Sequence, residues 1–513
     1  MDDLLRKLRQ EILFARQRVY HADQPTPLQS LPVPGAGPVF LKREDLSAIK
    51  AYKWRGAYNR LAIFSQTHPQ VPIVTASAGN HAQGVARAAR LLGATARVYM
   101  PHSTPQVKQE AVTHHGGKSV EVVLAGESYD EAYEEARRHQ EEQRSLYLHA
   151  YDDLQVIAGQ ATLADEVVLS GQGPFDVAFL QIGGGGMAAG VATWLRLFYP
   201  EIEIVGVEGE GQASMAAAVQ AGSPVRLNHL DLFCDGTAVR QAGEIPFQVC
   251  RHLVDRFVTV SNEEVSLAIR FLWETQRCLL EPSGAMGVAA LLQQLPKLQN
   301  RRSLVIGCGA NLDFGQLAII SERSGVGPGQ RRLLQITIPE RPGAMVELLQ
   351  TGLGNYNIID FQYGITSSEK AQPIFGISAD ELTLQPLLTE LSARGFPNQE
   401  VSHTPAARFR AITCNARFIA HPLFLELDFY ERRGALQTFL EQTIRNQGNL
   451  VYFNYRYSGE RIGRALIGID FQSPAERDAF LSQLPRSGPG YRTCTPLSAS
   501  EASALLGSPG PRH

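Results

Sequence analysis

The sequence predicts an α/β fold over roughly the first 325 residues and a smaller, duplicated α+β module after it. Three observations carry that prediction. From about residue 70 to 320, short β-rich apolar runs alternate with longer helical stretches, as in a largely parallel sheet covered by helices on both faces. At Ser324–Gln330 the chain takes on the Gly/Pro density of a linker. Beyond the linker, Ile336–Met345 resembles Leu427–Leu436, and the shared glycines Gly343 and Gly434 lie 91 residues apart. That period is too long for a solenoid and suits a repeated β-α-β unit.

Length and composition bound the alternatives. A chain of 513 residues has a prior of roughly three to four domains, and 44% hydrophobic with 19% charged residues is ample for packed cores. A net charge of −3 argues against nucleic acid or an anionic membrane as the main partner. The cysteines 234, 250, 278, 308, 414 and 494 form no C-x-x-C pair, so neither a disulfide framework nor a zinc site is expected, and a reducing cytoplasm is. The first residues, Met1–Lys7, carry two acids and no apolar h-region, so no signal peptide is read there. Val177–Leu195 runs without a charge, but Gly183–Gly186 interrupt it, which favours a strand, a tight loop and a helix over a membrane span.

The elements follow in order. Val71–Ser77 is a strand ending in small residues, and Ala82–Leu92 a helix. Ala96–Met100 and Val120–Leu124 are strands, separated by the helix Gln106–His114 and followed by the charged helix Tyr129–Arg144. Phe175–Ile182 is a strand into the glycine run, Ala188–Phe198 a helix, and Ile202–Val207 and Ser303–Ile306 are buried strands. In the repeat, each copy continues into a helix and then a strand, Ile358–Tyr363 in one and Leu450–Tyr455 in the other.

Four stretches carry chemistry. Gly183, Gly185 and Ala188 match G-x-G-x-x-G/A between a strand and a helix, and Glu208 lies 20 residues beyond Ala188. That spacing fits a dinucleotide; backbone N–H groups closing on a phosphate monoester fit equally, and a merely tight turn remains open. Lys42-Arg43-Glu44-Asp45 leads into Tyr52-Lys53-Trp54-Arg55-Gly56-Ala57. An exposed charged loop is the plain explanation, but Lys53 lies between two aromatics that can desolvate an amine. Only eight lysines compete for an imine-forming role, and the S-x-x-K at Ser47–Lys50 lacks its S-D-N and K-T-G companions, so it is read as chance. Thr75–Gly84 places small residues where a strand enters a helix, a cradle of N–H donors suited to a carboxylate or an ordinary turn. Cys308-Gly309-Ala310-Asn311 follows the last strand; a small buried thiol is its plain reading.

With Glu281-Pro282-Ser283-Gly284-Ala285, these motifs occur in an order that resembles the threonine dehydratase branch of the fold-type II pyridoxal phosphate enzymes. The resemblance covers about residues 20–325, and the duplicated tail is similar to the paired ACT-like regulatory domains of the biosynthetic form. It implies a two-lobed, tryptophan synthase β-like catalytic domain at 1–325 and ACT-like domains at 332–403 and 423–495. Lys53 would hold pyridoxal phosphate and act as the base at Cα. Gly183, Gly184, Gly185 and Gly186, with Met187, would clasp the phosphate. Asn80 would bond the ring 3′-oxygen, and Ser77, Ala78, Gly79, Asn80 and His81 would take the substrate carboxylate. Cys308, where serine is commoner, would face the pyridine nitrogen; a neutral partner there suits β-elimination over transamination.

The expected reaction converts L-threonine to 2-oxobutanoate and ammonia, with L-serine a poorer substrate. Isoleucine is the expected inhibitor, valine a possible activator, and a homotetramer the expected assembly. The nearest enzymatic rivals are a catabolic serine/threonine deaminase and a serine racemase. A nicotinamide-dependent dehydrogenase using Glu208, and a non-catalytic amino-acid sensor built on the tail, are the rivals from other classes.

Overall fold

Alternate residues of the strand Val177–Gln181 enter different cores, and this fixes the layers of the first unit. Ala178 and Leu180 join one fully buried cluster, Val177 and Phe179 another. A strand apolar on both sides must be covered on both sides. In a computed structural model, contacts divide the chain into residues 1–324 and 325–513. The structure describes residues 1–324 and then 331–339, 344–350, 353, 356, 358–362, 370–379, 381–402, 404, 414–415, 419–430, 439–444, 447–456, 462–488 and 491–507.

The first unit begins with α1 (Asp2–Ala22), β1 (Leu28–Ser30), β2 (Val39–Arg43), α2 (Trp54–Thr67), β3 (Ile73–Ala76), α3 (Asn80–Leu92), β4 (Ala96–Met100), α4 (Gln106–Gly116), β5 (Val120–Leu124), α5 (Tyr129–Gln143) and β6 (Leu146–Tyr147). It continues with α6 (Leu154–Leu169), β7 (Val177–Gln181), α7 (Gly186–Phe198), β8 (Glu203–Gly209), α8 (Ser214–Ala221), α9 (Glu244–Leu253), β9 (Arg256–Val260), α10 (Asn262–Gln276), α11 (Pro282–Gln293), β10 (Ser303–Gly307) and α12 (Phe314–Ser324).

Two sheets result, one per lobe. The smaller, β5-β4-β3-β6, is wholly parallel. The larger, β1-β2-β10-β7-β8-β9, is parallel except for the edge strand β1. The strand ends that carry the motifs (β3, β7 and β10) are all carboxyl ends of parallel strands, where α/β folds place ligands.

Two predicted helices start earlier than expected. α3 begins at Asn80 rather than Ala82, and α7 at Gly186 rather than Ala188. Their N-caps are Gly79 and Gly185, with no side-chain cap bond. By contrast, Ser128, Asp153 and Ser261 cap α5, α6 and α10 with side-chain oxygens. The first-turn N–H groups of α3 and α7 therefore have no side chain of their own N-cap to satisfy them. The charge-free run 177–195 is β7, the glycine loop and α7; among the described residues no helix is long and apolar enough to cross a membrane.

The second unit holds two antiparallel four-stranded sheets. One runs 358–362, 374–378, 331–336, 398–400; the other 449–456, 462–470, 422–430, 491–496. The repeat is visible as shared topology, since 331–336 and 422–430 hold the same place, as do 358–362 and 449–456. The loop residues Pro342, Gly343, Arg433 and Gly434, the linker residues 325–330 and Tyr363 lie outside the described residues.

Candidate active site

Lys53 stands immediately before α2, on a loop that the chain pins at several points. The Ala310 N–H donates to the Lys50 carbonyl at 2.9 Å, and the Tyr52 N–H to the Cys308 carbonyl at 3.2 Å. The Ser47 hydroxyl donates to the Ala51 carbonyl at 2.8 Å, so the S-x-x-K serine is a turn residue. Trp54 behind it is 1% exposed. The Lys53 Nζ donates to the Ala150 carbonyl at 3.0 Å and lies 5.4 Å from the Tyr52 ring centre. Burial strips water from the ammonium and lowers its pKa from 10.5 to about 8, so an appreciable neutral fraction exists near pH 7.

Lys42, the other lysine of the motif, is wholly buried and not in a loop. Its Nζ contacts the Thr26 hydroxyl and lies 2.5 Å from Glu166 and 3.3 Å from Glu44. Arg55 completes the cluster, 2.8 Å from Glu44 and 2.5 Å from Glu166. The charged-loop explanation therefore fails for this stretch: it is a paired, buried ionic cluster that holds β2, α2 and α6 together.

The glycine loop is a cradle that admits no Cβ. Added carbons would meet the Thr237 carbonyl oxygen at 2.8 Å from Gly183, the Tyr151 ring at 2.3 Å from Gly184, Met215 Cε at 2.4 Å from Gly185, and the Tyr151 carbonyl at 2.8 Å from Gly186. Gly185 has φ +92°, which L side chains rarely adopt. The loop thus brings bare backbone to the start of α7, including Met187, where N–H groups and the helix dipole favour an anion. Glu208 does not serve a ribose. It accepts the Met215 and Ala216 N–H groups at 2.8 and 2.9 Å at the start of α8, and burial lifts its carboxyl to about 7. The literal dinucleotide fingerprint loses its acidic partner.

Ser77–His81 forms the entry to α3. The Ser77 hydroxyl accepts the Gly79 N–H at 3.3 Å; Ala78 and His81 are buried, while Gly79 and Asn80 are partly open. The His81 ring is paired with the Leu148 carbonyl at 3.1 Å, and burial lowers its pKa to about 3, so it is neutral. Any carboxylate here would therefore meet backbone N–H groups rather than an imidazolium. Asn80 donates to Glu281 at 2.6 Å and accepts from Asn311 at 2.6 Å. Cys308 is 4% exposed, its thiol 3.6 Å from the Ser283 carbonyl, and burial pushes its pKa well above the thiol range. It is a neutral group.

Sequence reasoning missed the segment Ala150–Asp152. Ala150 receives Lys53, Tyr151 lies on Gly184 and Gly186, and Asp152 accepts the Glu244 and Ile245 N–H groups at 3.0 and 2.9 Å. No local pattern marks these residues. Glu281 and Asn311 were visible as motif members only.

These residues fit pyridoxal phosphate on structural grounds: an amine with a depressed pKa, a glycine loop whose backbone admits no Cβ at the start of a helix, and a neutral thiol at the end of β10. The comparisons agree. Residues 19–309 match the family model described as pyridoxal-phosphate dependent enzyme, and 322–409 and 419–501 match the C-terminal regulatory domain of threonine dehydratase. The chain is 36% identical over 491 residues to the L-threonine dehydratase biosynthetic IlvA of Burkholderia multivorans, covering 91% of this chain and 94% of that one. It is 34% identical over 465 residues to that of Escherichia coli, covering 89% of each. The solved threonine deaminase isoform 2 of Solanum lycopersicum superposes with a TM-score of 0.61 at 36% identity, over 64% of this chain and 95% of that one. The chain belongs to the threonine dehydratases, pyridoxal phosphate-dependent enzymes with a C-terminal regulatory domain.

Proposed function

We propose that this chain is a threonine ammonia-lyase that converts L-threonine to 2-oxobutanoate and ammonia, the first step of isoleucine biosynthesis, with L-serine as the poorer substrate. The observation that carries the proposal is the Lys53 amine, depressed to about 8, on the loop pinned to Cys308–Ala310, in a chain that also carries the glycine cradle and the open start of α3. Bound pyridoxal phosphate supplies an electron sink that acidifies the substrate Cα–H. Lys53 holds the cofactor in the resting enzyme and, once displaced, takes the Cα proton. The N–H groups of Gly183–Met187 hold the phosphate. Ser77–His81 hold the substrate carboxylate, and Asn80 holds the ring 3′-oxygen. Cys308, a neutral thiol, would stand toward the cofactor's ring nitrogen, and a neutral partner there would suit β-elimination over transamination.

The tail is assigned as ACT-like domains at 332–403 and 423–495. Two matches to the regulatory-domain model and the shared strand order of the two sheets support that assignment. Isoleucine as inhibitor, valine as activator, a homotetramer and a cytoplasmic location belong to the same proposal. The test is to measure ammonia and 2-oxobutanoate released from threonine by the pure protein, with and without isoleucine. Faster release of pyruvate from serine, or racemisation of serine without ammonia, would overturn it.

A further inference from the structure

Glu281 has no role in the reaction as described, yet it organises the hydrogen bonds behind Asn80. It is the residue before α11 and is 3% exposed, but its side chain does not cap that helix. One carboxylate oxygen accepts from Asn80 Nδ2 at 2.6 Å and the other from the Asn311 N–H at 3.1 Å. Asn311 closes the ring: its Nδ2 donates to Asn80 Oδ1 at 2.6 Å and to the Ile49 carbonyl at 2.8 Å. The backbone is cut away around this carboxylate, since a Cβ on Gly309 would lie 2.3 Å from Glu281 Oε1 and 3.2 Å from Asn80 Nδ2.

The ring decides which way the Asn80 amide points. Its oxygen is taken by Asn311, so its nitrogen must face Glu281, and one of its two N–H bonds is committed there. The second N–H is left for a ligand. A carboxylate is the group that can accept from both donors at once; a glutamine would present an NH₂ to one of them. Keeping the charge here is costly, because burial and the neighbouring Asp235 push the Glu281 carboxyl up to about 7, while Lys108, 2.5 Å from Asp235, and the two hydrogen bonds oppose that rise. A buried acid retained against that cost, on two donors of which one is the Asn80 amide, points to a positioning task.

We propose that Glu281 is a positioning residue that acts through Asn80, holding the amide so that its remaining N–H addresses the ring oxygen of the cofactor. The inference rests on the assignment of Asn80 to that oxygen.

The test uses the full-length holoenzyme and reads the visible band of the bound cofactor and its dissociation constant, besides kcat and KM. Asn80→Ala should shift the band. Glu281→Gln should shift it in the same direction and lower kcat by about 10- to 100-fold, the scale of a misaligned contact, with the substrate KM little changed. Glu281→Asp, which keeps two acceptors, should restore part of the shift. Asn311→Ala, which frees the Asn80 oxygen but leaves both bonds to Glu281, should shift the band less than Glu281→Gln, and Glu281→Asp serves if Glu281→Gln does not fold. In the Asn80→Ala background, Glu281→Gln should add no further spectral change. A wild-type band and kcat in Glu281→Gln, or a full additional shift in the double variant, would overturn the proposal while leaving the Asn80 assignment intact. An unshifted band in Asn80→Ala would instead sink that assignment, and the route through it.

Discussion

Replacing Gly185 by alanine tests the cradle where its geometry is least forgiving. The residue has φ +92° and ψ −5°, a left-handed conformation that costs an L residue roughly 1–2 kcal/mol. The new methyl would also lie 2.4 Å from Met215 Cε and 2.8 Å from Pro246 Cβ. The methionine end can swing away, but the proline ring cannot, so an overpacking cost of about 1–3 kcal/mol adds to the backbone term. The total of roughly 2–5 kcal/mol corresponds to a factor between about 30 and a few thousand. Where the loop relaxes in the apoprotein, the whole cost appears as weaker cofactor binding; where it does not, part appears as lower stability. Titrating apoprotein with pyridoxal phosphate and unfolding it in urea measure both parts. Gly222→Ala is the control, because it has φ +78° with no atom within 4 Å of the new methyl. It should show only a backbone cost and unchanged cofactor affinity. If Gly185→Ala bound cofactor within about threefold of wild type and unfolded at the same urea concentration, the backbone cradle would not be the phosphate site.

Other consequences follow from the same site. Lys53→Ala should lose the visible absorbance of covalently held cofactor and nearly all turnover, while still binding pyridoxal phosphate reversibly; borohydride labelling of wild-type Lys42 or Lys50 would contradict the assignment. In the apoprotein, Lys53 titrates at about 8 instead of 10.5, so between these values the unfolded chain binds more protons and wild-type stability relative to Lys53→Met should rise with pH. Glu281 titrates at about 7 instead of 4.5; there the folded chain binds more protons, and wild-type stability relative to Glu281→Gln should fall as pH rises through that window. A difference of the opposite slope in urea unfolding would refute either environment. Truncation near residue 328, at the division between the two units, should leave an active catalytic unit that isoleucine no longer inhibits; persistent inhibition of a soluble truncation would place the inhibitor site before residue 325. Coupling of roughly 1–3 kcal/mol in the full chain would change apparent threonine affinity about 5- to 150-fold.

What the sequence showed and what it hid differ by the range of the interaction involved. The glycine run was legible because a backbone that admits no Cβ can be written only in glycine, and Gly185 needs its positive φ as well. The alternation of strands and helices was legible because both faces of β7 are apolar and buried. The true start of α3 was not, because Asn80 and His81 are indifferent helix formers, and the helix begins there under a glycine cap and tertiary packing. That Lys42, Glu44 and Arg55 form a buried ionic cluster was not legible, since its fourth member, Glu166, enters from α6, 124 residues beyond Lys42. Tyr151 left no trace at all: it contributes a surface against Gly184 that any pattern of neighbours would leave unmarked.

Glu208 shows the limit most sharply. Gly183, Gly185, Ala188 and Glu208 reproduce the spacing of a dinucleotide site, yet the acid accepts two N–H groups at the start of α8. A local motif specifies a backbone conformation able to hold a phosphate; it does not specify which molecule carries that phosphate. Under the proposed function that choice is made by Lys53, held 3.0 Å from the Ala150 carbonyl in the residues just before Tyr151, whose ring and carbonyl lie against Gly184 and Gly186. On that reading, an amine near the glycine loop would take an aldehyde-bearing phosphate rather than a dinucleotide. The chemistry is therefore encoded in the meeting of two stretches 130 residues apart, Lys53 and Gly183, neither of which names the cofactor alone.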